Sequence, residues 1–159
     1  VLTEGKNVVA PPHSYNTPLG ICQFAKTLRG DEEVIIFELG ESHPGDVKEL
    51  CELTQPEIGV ITGIDEAHLE KFKTLEKTTK TIFELADYLG DRPLYVNGES
   101  KLAKEFARPN HVLYSRSEVA DLMVTNQKLP LHQKPMRWEQ FTKLILKFRR
   151  RSPARLDLA

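Results

Sequence analysis

Short, uninterrupted apolar runs separated by longer stretches of helical spacing organise the first hundred residues of this chain. Val34-Ile35-Ile36-Phe37, inside the run 33–38, is apolar at successive positions, as in a buried parallel strand; a half-exposed strand would alternate. Ile58-Gly59-Val60-Ile61, in the run 58–62, and Pro93-Leu94-Tyr95-Val96 have the same character. Asn7 to Ala10 reads as a short strand, and the paired prolines at 11 and 12 open a loop. Thr17-Pro18 is a helix start, with Thr as N-cap and Pro at the first position, and that helix runs to about Leu28 before Gly30. Pro44-Gly45-Asp46 opens a second helix whose apolar face is Val47, Leu50, Cys51 and Leu53, and Pro56 stops it. Helical spacing resumes over 66–89, with a break at Lys73-Thr74 where Thr74 serves as a cap, and Gly90 closes it. A helix over 100–106, a strand over 111–114 and a weaker strand signal over 119–125 follow.

This β-α-β-α-β alternation predicts an α/β fold: a mostly parallel sheet with helices on both faces and right-handed crossovers. Residues 1–126 form one unit of it. The character changes beyond Gln127. Residues 127–136 read as a linker, 137–151 as an amphipathic basic helix with Trp138, Phe141, Ile145 and Phe148 on one side, and 152–159 as a tail.

Composition narrows the class. The chain has 159 residues, 40% apolar and 28% charged, which suits one ordinary globular core. A formal net charge of -1 provides no whole-molecule field for nucleic acid. No apolar run approaches the roughly 20 residues of a membrane helix, so the expectation is a cytoplasmic domain without a transmembrane segment. Cys22 and Cys51 have neither C-x-x-C spacing nor a Cys/His cluster, and both read as reduced core residues. The first residue is Val1, and the chain is expected to be a piece of a longer protein.

Chemistry concentrates where strands end. In open α/β sheets ligands bind beyond the carboxyl ends of the strands, which makes Glu38 and His68 candidates for one site. A carboxylate ending a buried strand is expensive unless it is paired, solvated or bound to metal. His68 fits either a ligand or a structural hydrogen-bonding residue. The loop His13-Ser14-Tyr15-Asn16-Thr17 leads into a helix N-terminus that could receive an anion, although turn and cap chemistry explains the same residues. Gly40 to Asp46 is a second loop of turn formers facing the same crevice. No G-x-x-x-x-G-K-[ST] phosphate loop, G-x-S-x-G elbow or Cys-His nucleophile pair is present, so this chain alone should bind nucleotide triphosphate poorly.

Taken in order, Pro12-His13-Ser14-Tyr15-Asn16-Thr17-Pro18-Leu19-Gly20, Phe37-Glu38-Leu39-Gly40 with Pro44-Gly45-Asp46, and Val60-Ile61-Thr62-Gly63-Ile64 with Ala67-His68-Leu69-Glu70-Lys71-Phe72 resemble the central domain of the Mur ligases. The similarity spans about residues 7–100 and is closest to the branch that adds D-alanyl-D-alanine. The resemblance implies an incomplete P-loop-like core, lacking the N-terminal phosphate loop and the C-terminal domain, from an ATP-dependent amide ligase of bacterial peptidoglycan synthesis. Its complete form would phosphorylate a carboxylate of a UDP-N-acetylmuramoyl peptide and let an amine displace phosphate. By motif, Glu38 and His68 match the family's catalytic, metal-binding pair for Mg2+ or Mn2+. Tyr15, Asn16 and Thr17 match its substrate loop, and Asn97 matches an Asn near the ATP nucleotide.

Two positions depart from the family. Ile82 stands where many members carry a lysine whose carbamate supports a second metal, and Lys80 lies roughly 200° around the helix from it. Gly63 stands where an Asn is frequent. The expectation is a ligase segment that is inactive alone. The rival is a ligase-derived binding or scaffold module that uses the basic C-terminal helix on a partner or membrane surface.

Overall fold

The computed structural model describes residues 6–12, 14–64 and 74–115, together with the backbone of 122–123 and 143–148. The elements in chain order are β1 (Val8–Val9), α1 (Pro18–Ala25), β2 (Val34–Phe37), α2 (Asp46–Thr54), β3 (Ile58–Ile61), α3 (Leu75–Leu89), β4 (Leu94–Asn97), α4 (Lys101–Phe106), β5 (Val112–Ser115), β6 (Leu122–Met123) and β7 (Lys143–Phe148). They form one seven-stranded sheet in the order β1-β2-β7-β3-β4-β5-β6. All neighbouring pairs are parallel except those of β7.

The expected α/β architecture, a mostly parallel sheet with helices, is present, but the expectation of helices on both faces is corrected: the described helices lie on one. β1 to β6 cross the sheet in a single direction, so right-handed crossovers place α1 to α4 along the same face. Burial alternates accordingly. Gly59 and Ile61 of β3 and Leu94 and Val96 of β4 are buried, while Ile58, Val60, Tyr95 and Asn97 are half-exposed. No helix covers that second face among the described residues.

Local chemistry sets the helix ends. Thr17 caps α1, its Oγ1 accepting from the Gly20 N–H at 3.3 Å with Pro18 at the first position. The helix stops at Ala25, earlier than the expected Leu28, and turns lead to Gly30 at φ +89°. Thr74 caps α3 through the Lys77 N–H, and Gly90 closes it at φ +59°. The cap position of α2 is Gly45, which has no side chain to offer. Glu84 of α3 substitutes for it: Oε1 accepts from the Gly45 N–H at 2.7 Å and Oε2 from the Lys48 N–H at 3.0 Å.

The core is one cluster between the sheet and the helices, including Phe24, Phe37, Leu50, Ile61, Ile82, Leu85 and Leu89. Phe24 and Phe37 meet edge to face with centroids 5.9 Å apart, joining α1 to β2. Cys51 belongs to this core. Cys22 does not: it is exposed, on the outer side of α1, which corrects the expectation that both cysteines are buried.

The larger correction concerns the C-terminal segment. Residues 143–148, expected within a basic helix over 137–151, form β7, which runs antiparallel between β2 and β3. Ile145 pairs with both Phe37 and Gly59, and Leu146 with both Ile36 and Ile58. β2 and β3 are not hydrogen-bonded to each other, so without β7 each would present an open row of N–H and C=O groups in the middle of the sheet. The apolar run Leu144-Ile145-Leu146 fits a helix face and a buried strand alike, and the tertiary slot decides between them. The remainder of 137–151 lies outside the described residues, as do the linker 127–136, the tail 152–159 and most of the weak strand at 119–125, of which 122–123 is β6.

Candidate functional site at the carboxyl edge of the sheet

Glu38 directly follows β2 and is half-buried at the carboxyl edge of the sheet. The loop before α1 meets it there. Asn16 donates from Nδ2 to Glu38 Oε1 at 3.3 Å, and its backbone carbonyl accepts from the Gly40 N–H at 2.9 Å. Residue 40 must be glycine for this approach, because a Cβ there would sit 2.8 Å from the Asn16 carbonyl oxygen. The flanking residues hold Asn16 in place. Tyr15 packs on the core with its backbone against Gly20, where a Cβ would lie 3.0 Å from Tyr15 Cα, and Thr17 is the α1 cap. The predicted residues Tyr15, Asn16, Thr17 and Glu38 are therefore brought together. A cavity of about 60 Å³ beside them, lined by Asn16, Thr17, Pro18, Gly40, Asp46, Glu49 and Leu50, has the volume of one or two waters.

Asn97 ends β4 on the same edge, but β7 and β3 stand between β4 and β2. At the usual strand spacing this puts it roughly 14 Å from Glu38 along the edge. Its amide is engaged on both sides: Nδ2 donates to the Thr62 carbonyl at 2.7 Å, and Oδ1 accepts from the Glu99 N–H at 2.9 Å. Two residues that sequence reasoning missed act on the same stretch. Ser100 Oγ accepts from the Ile64 N–H at 3.3 Å, and the Tyr114 hydroxyl donates to the Ile61 carbonyl at 3.4 Å. Burial, and then the nearby Glu99 carboxylate, push the Tyr114 phenol up to about 12. The only sequence signal for these residues was Ser100 as a helix start, and its side chain serves the β3 exit instead of the α4 N-terminus.

The loop from Gly40 to Asp46 closes on itself. Asp46 Oδ2 accepts from the Ser42 N–H at 2.7 Å and the His43 N–H at 2.8 Å, so these amides are occupied and offer no anion nest. Ile82 is 1% exposed within the α3 core face, and Lys80 points out to pair with Glu76 at 2.7 Å. Neither supplies a metal-supporting group to the edge. His68 lies outside the described residues. A wider groove of about 610 Å³, lined in part by Lys77, Lys80, Phe83, Phe106 and Arg108, includes none of the predicted site residues.

The described residues contain no group of three or more His, Cys, Asp or Glu able to hold a metal by themselves. Magnesium does not require one: it keeps several waters and takes one or two carboxylates together with substrate phosphates. Glu38, with Oε1 hydrogen-bonded and Oε2 without a hydrogen-bond partner among the described residues, fits that mode.

The sequence profile of the Mur ligase middle domain matches residues 1–149. The chain belongs to that family. Among curated relatives, the UDP-N-acetylmuramoyl-tripeptide--D-alanyl-D-alanine ligase of Rickettsia prowazekii is 37% identical over 78 residues, which is 49% of this chain and 17% of that protein. The enzyme of the same name from Bacillus subtilis is 25% identical over 116 residues, 67% of this chain and 25% of that protein. Among solved structures, MurF ligase from Thermotoga maritima in complex with ADP superposes with a TM-score of 0.68 at 22% identity, over 79% of this chain and 30% of that one. MurF from Acinetobacter baumannii also gives 0.68, at 21% identity, over 79% and 28%. This middle-domain chain thus spans a quarter or less of the length of those two curated relatives, and the solved structures share its α/β fold. No described helix is long and apolar enough to cross a membrane.

Proposed function

We propose that this chain is the middle-domain segment of an ATP-dependent amide ligase that adds D-alanyl-D-alanine to a UDP-N-acetylmuramoyl tripeptide in the cytoplasm, through an acyl phosphate. The observation that carries this reading is the family match over 1–149 joined to a half-buried Glu38 at the strand end, in contact with the loop Tyr15-Asn16-Thr17.

Glu38, together with His68, would hold a magnesium ion, which when bound supplies positive charge to a phosphoryl group in transfer. The protein's own part is placement. The loop before α1 sets the muramoyl peptide against the strand end, and the engaged amide of Asn97 fixes the β3 exit on the nucleotide side. Such positioning is a large share of the rate in phosphoryl transfer, because the transition state asks for alignment and charge more than covalent help. With no phosphate-loop motif in its sequence, this chain by itself turns over no ATP.

The test is phosphate release by the complete parent ligase supplied with ATP, magnesium, UDP-N-acetylmuramoyl tripeptide and D-alanyl-D-alanine. Glu38→Gln is expected to lower kcat by about 100-fold or more, as does losing a group that stabilises transition-state charge; wild-type turnover in that variant would remove Glu38 from the reaction. The rival reading as a scaffold module drew on a basic helix over 137–151. Of its grounds, which also include Ile82 and the unmatched tail, the helix is lost over 143–148, a strand inside the sheet.

A further inference from the structure

We propose that Asn16 is a positioning residue for Glu38, orienting its carboxylate for an octahedral divalent cation and tying the loop before α1 to that cation; this rests on the reading of Glu38 as a metal ligand. The geometry is specific. Asn16 is attached to the β2 exit twice, through its amide to Glu38 Oε1 and through its carbonyl to the Gly40 N–H. It cannot drift toward the sheet or away from it: its neighbours are held by the Thr17 cap and by Tyr15 against Gly20, and Gly40 is the one residue type that admits its carbonyl.

A carboxylate on a strand end otherwise rotates freely about its terminal torsion, which is broad and roughly two-fold. The Asn16 amide removes that freedom by engaging one oxygen, and Oε2, without a hydrogen-bond partner among the described residues, remains for a cation. Asn suits this task better than Lys or Arg would. Its amide donates without adding a positive charge that would repel the metal. The role differs from direct contact with the muramoyl peptide, because it acts through Glu38 and is legible before any peptide is bound.

Orientation matters unequally to different cations, which supplies the test. Magnesium demands near-ideal octahedral geometry, whereas calcium accepts mono- or bidentate carboxylates over a range of arrangements. Binding of Mn2+ to the 159-residue chain would be followed by electron paramagnetic resonance, with Mg2+ or Ca2+ as competitor, in wild type, Glu38→Gln, Asn16→Ala and Asn16→Leu. Leu keeps the heavy-atom count and branching of Asn without its hydrogen-bonding groups and guards against collapse of the loop, and circular dichroism confirms folding of each variant.

The expected result is loss of Mn2+ binding in Glu38→Gln, with Mg2+ affinity falling about tenfold in both Asn16 variants and Ca2+ affinity falling by less than about threefold. Asn16 variants that keep wild-type Mg2+ affinity while Glu38→Gln loses it would overturn the positioning role and leave Glu38 as ligand. An equal fall for Mg2+ and Ca2+ would also overturn it, marking Asn16 as merely structural. Wild-type cation binding in Glu38→Gln would bring down the reading of Glu38 itself, and the proposal with it.

Discussion

Removing β7 is the most direct perturbation, because a helix on the surface and a strand inside the sheet predict opposite outcomes. Consider a chain ending at residue 136. β7 pairs with four residues of β2 and four of β3. An antiparallel ladder of that length carries about four backbone hydrogen bonds on each side, so truncation opens roughly eight. At a net 0.5 to 1.5 kcal/mol each, the loss is about 4 to 12 kcal/mol before any side-chain burial is counted. A domain of this size is stable by only about 5 to 15 kcal/mol, so the truncated chain is expected to be unfolded or close to it. β2 and β3 have no direct pairing to fall back on. Urea titration followed by circular dichroism measures this, with the 159-residue and truncated chains at equal concentration. A truncated chain with the same midpoint and the same m value would refute the reasoning and restore 137–151 to a dispensable surface element.

Four further substitutions test the packing around the sheet and its helices. Gly59→Ala places a Cβ 2.6 Å from Leu89 Cδ1 and 2.8 Å from Leu94 Cδ1, and should lower stability by about 1 to 3 kcal/mol in chemical denaturation, whereas Gly63→Ala, with no described residue's atom within 4 Å, should be neutral or stabilising by up to about 1 kcal/mol. Glu84→Ala leaves the Gly45 and Lys48 N–H groups at the α2 start without their acceptor, and should cost about 0.5 to 2 kcal/mol in the same assay. His111 is buried, stacks on Phe83 with centroids 6.2 Å apart and accepts the Arg108 N–H at Nδ1, 3.0 Å away. Burial, and then the charge of Arg108, hold its pKa below the usual 6.5. The unfolded chain therefore takes up a proton first as pH falls, so the stability contribution is full above about pH 6.5 and is lost as pH drops from there through the lower folded value. Thermal melting between pH 8 and 5 should show that decline, and His111→Phe should flatten it; an unchanged slope in the variant would dismiss His111 as the source.

Signals carried within a few residues of the chain were legible. The Thr17-Pro18 start of α1, the Thr74 cap of α3, the Gly90 stop and the apolar runs of β2, β3 and β4 each follow from neighbours in sequence, and the structure has them. Relationships that depend on distant segments were not. Leu144-Ile145-Leu146 becomes a strand because β2 and β3 leave a slot one strand wide, a fact set by residues more than 80 positions upstream. The same limit holds for the α2 cap. Nothing near Gly45 foretells it, since its acceptor, Glu84, comes from 39 residues away in α3. At the site, Glu38 was conspicuous as a carboxylate ending an apolar run, but its partner Asn16 is 22 residues distant and read locally as turn chemistry.

The carboxyl edge is built in two halves that use different means. On the β2 side, a loop that precedes the first helix is drawn in by Asn16 and admitted by Gly40. On the β4 side, three side chains from β4, the start of α4 and β5 grip the exit of β3: Asn97 at the Thr62 carbonyl, Ser100 at the Ile64 N–H and Tyr114 at the Ile61 carbonyl. With its pKa at about 12, the Tyr114 hydroxyl keeps its proton and remains a donor throughout the neutral range. Among the described residues, Asn97 retains one N–H and one carbonyl lone pair beyond its two bonds, enough for a ligand contact added to a structural one. Residues 62–64 leave the sheet, and the direction of that departure is set by side chain to backbone bonds and not by strand pairing, which ends at Ile61. A substitution at Asn97 would therefore disturb the β3 exit as well as any nucleotide contact, and a change in nucleotide affinity alone could not separate the two; Ser100→Ala and Tyr114→Phe loosen the exit without touching the Asn97 amide, and so measure its share by themselves.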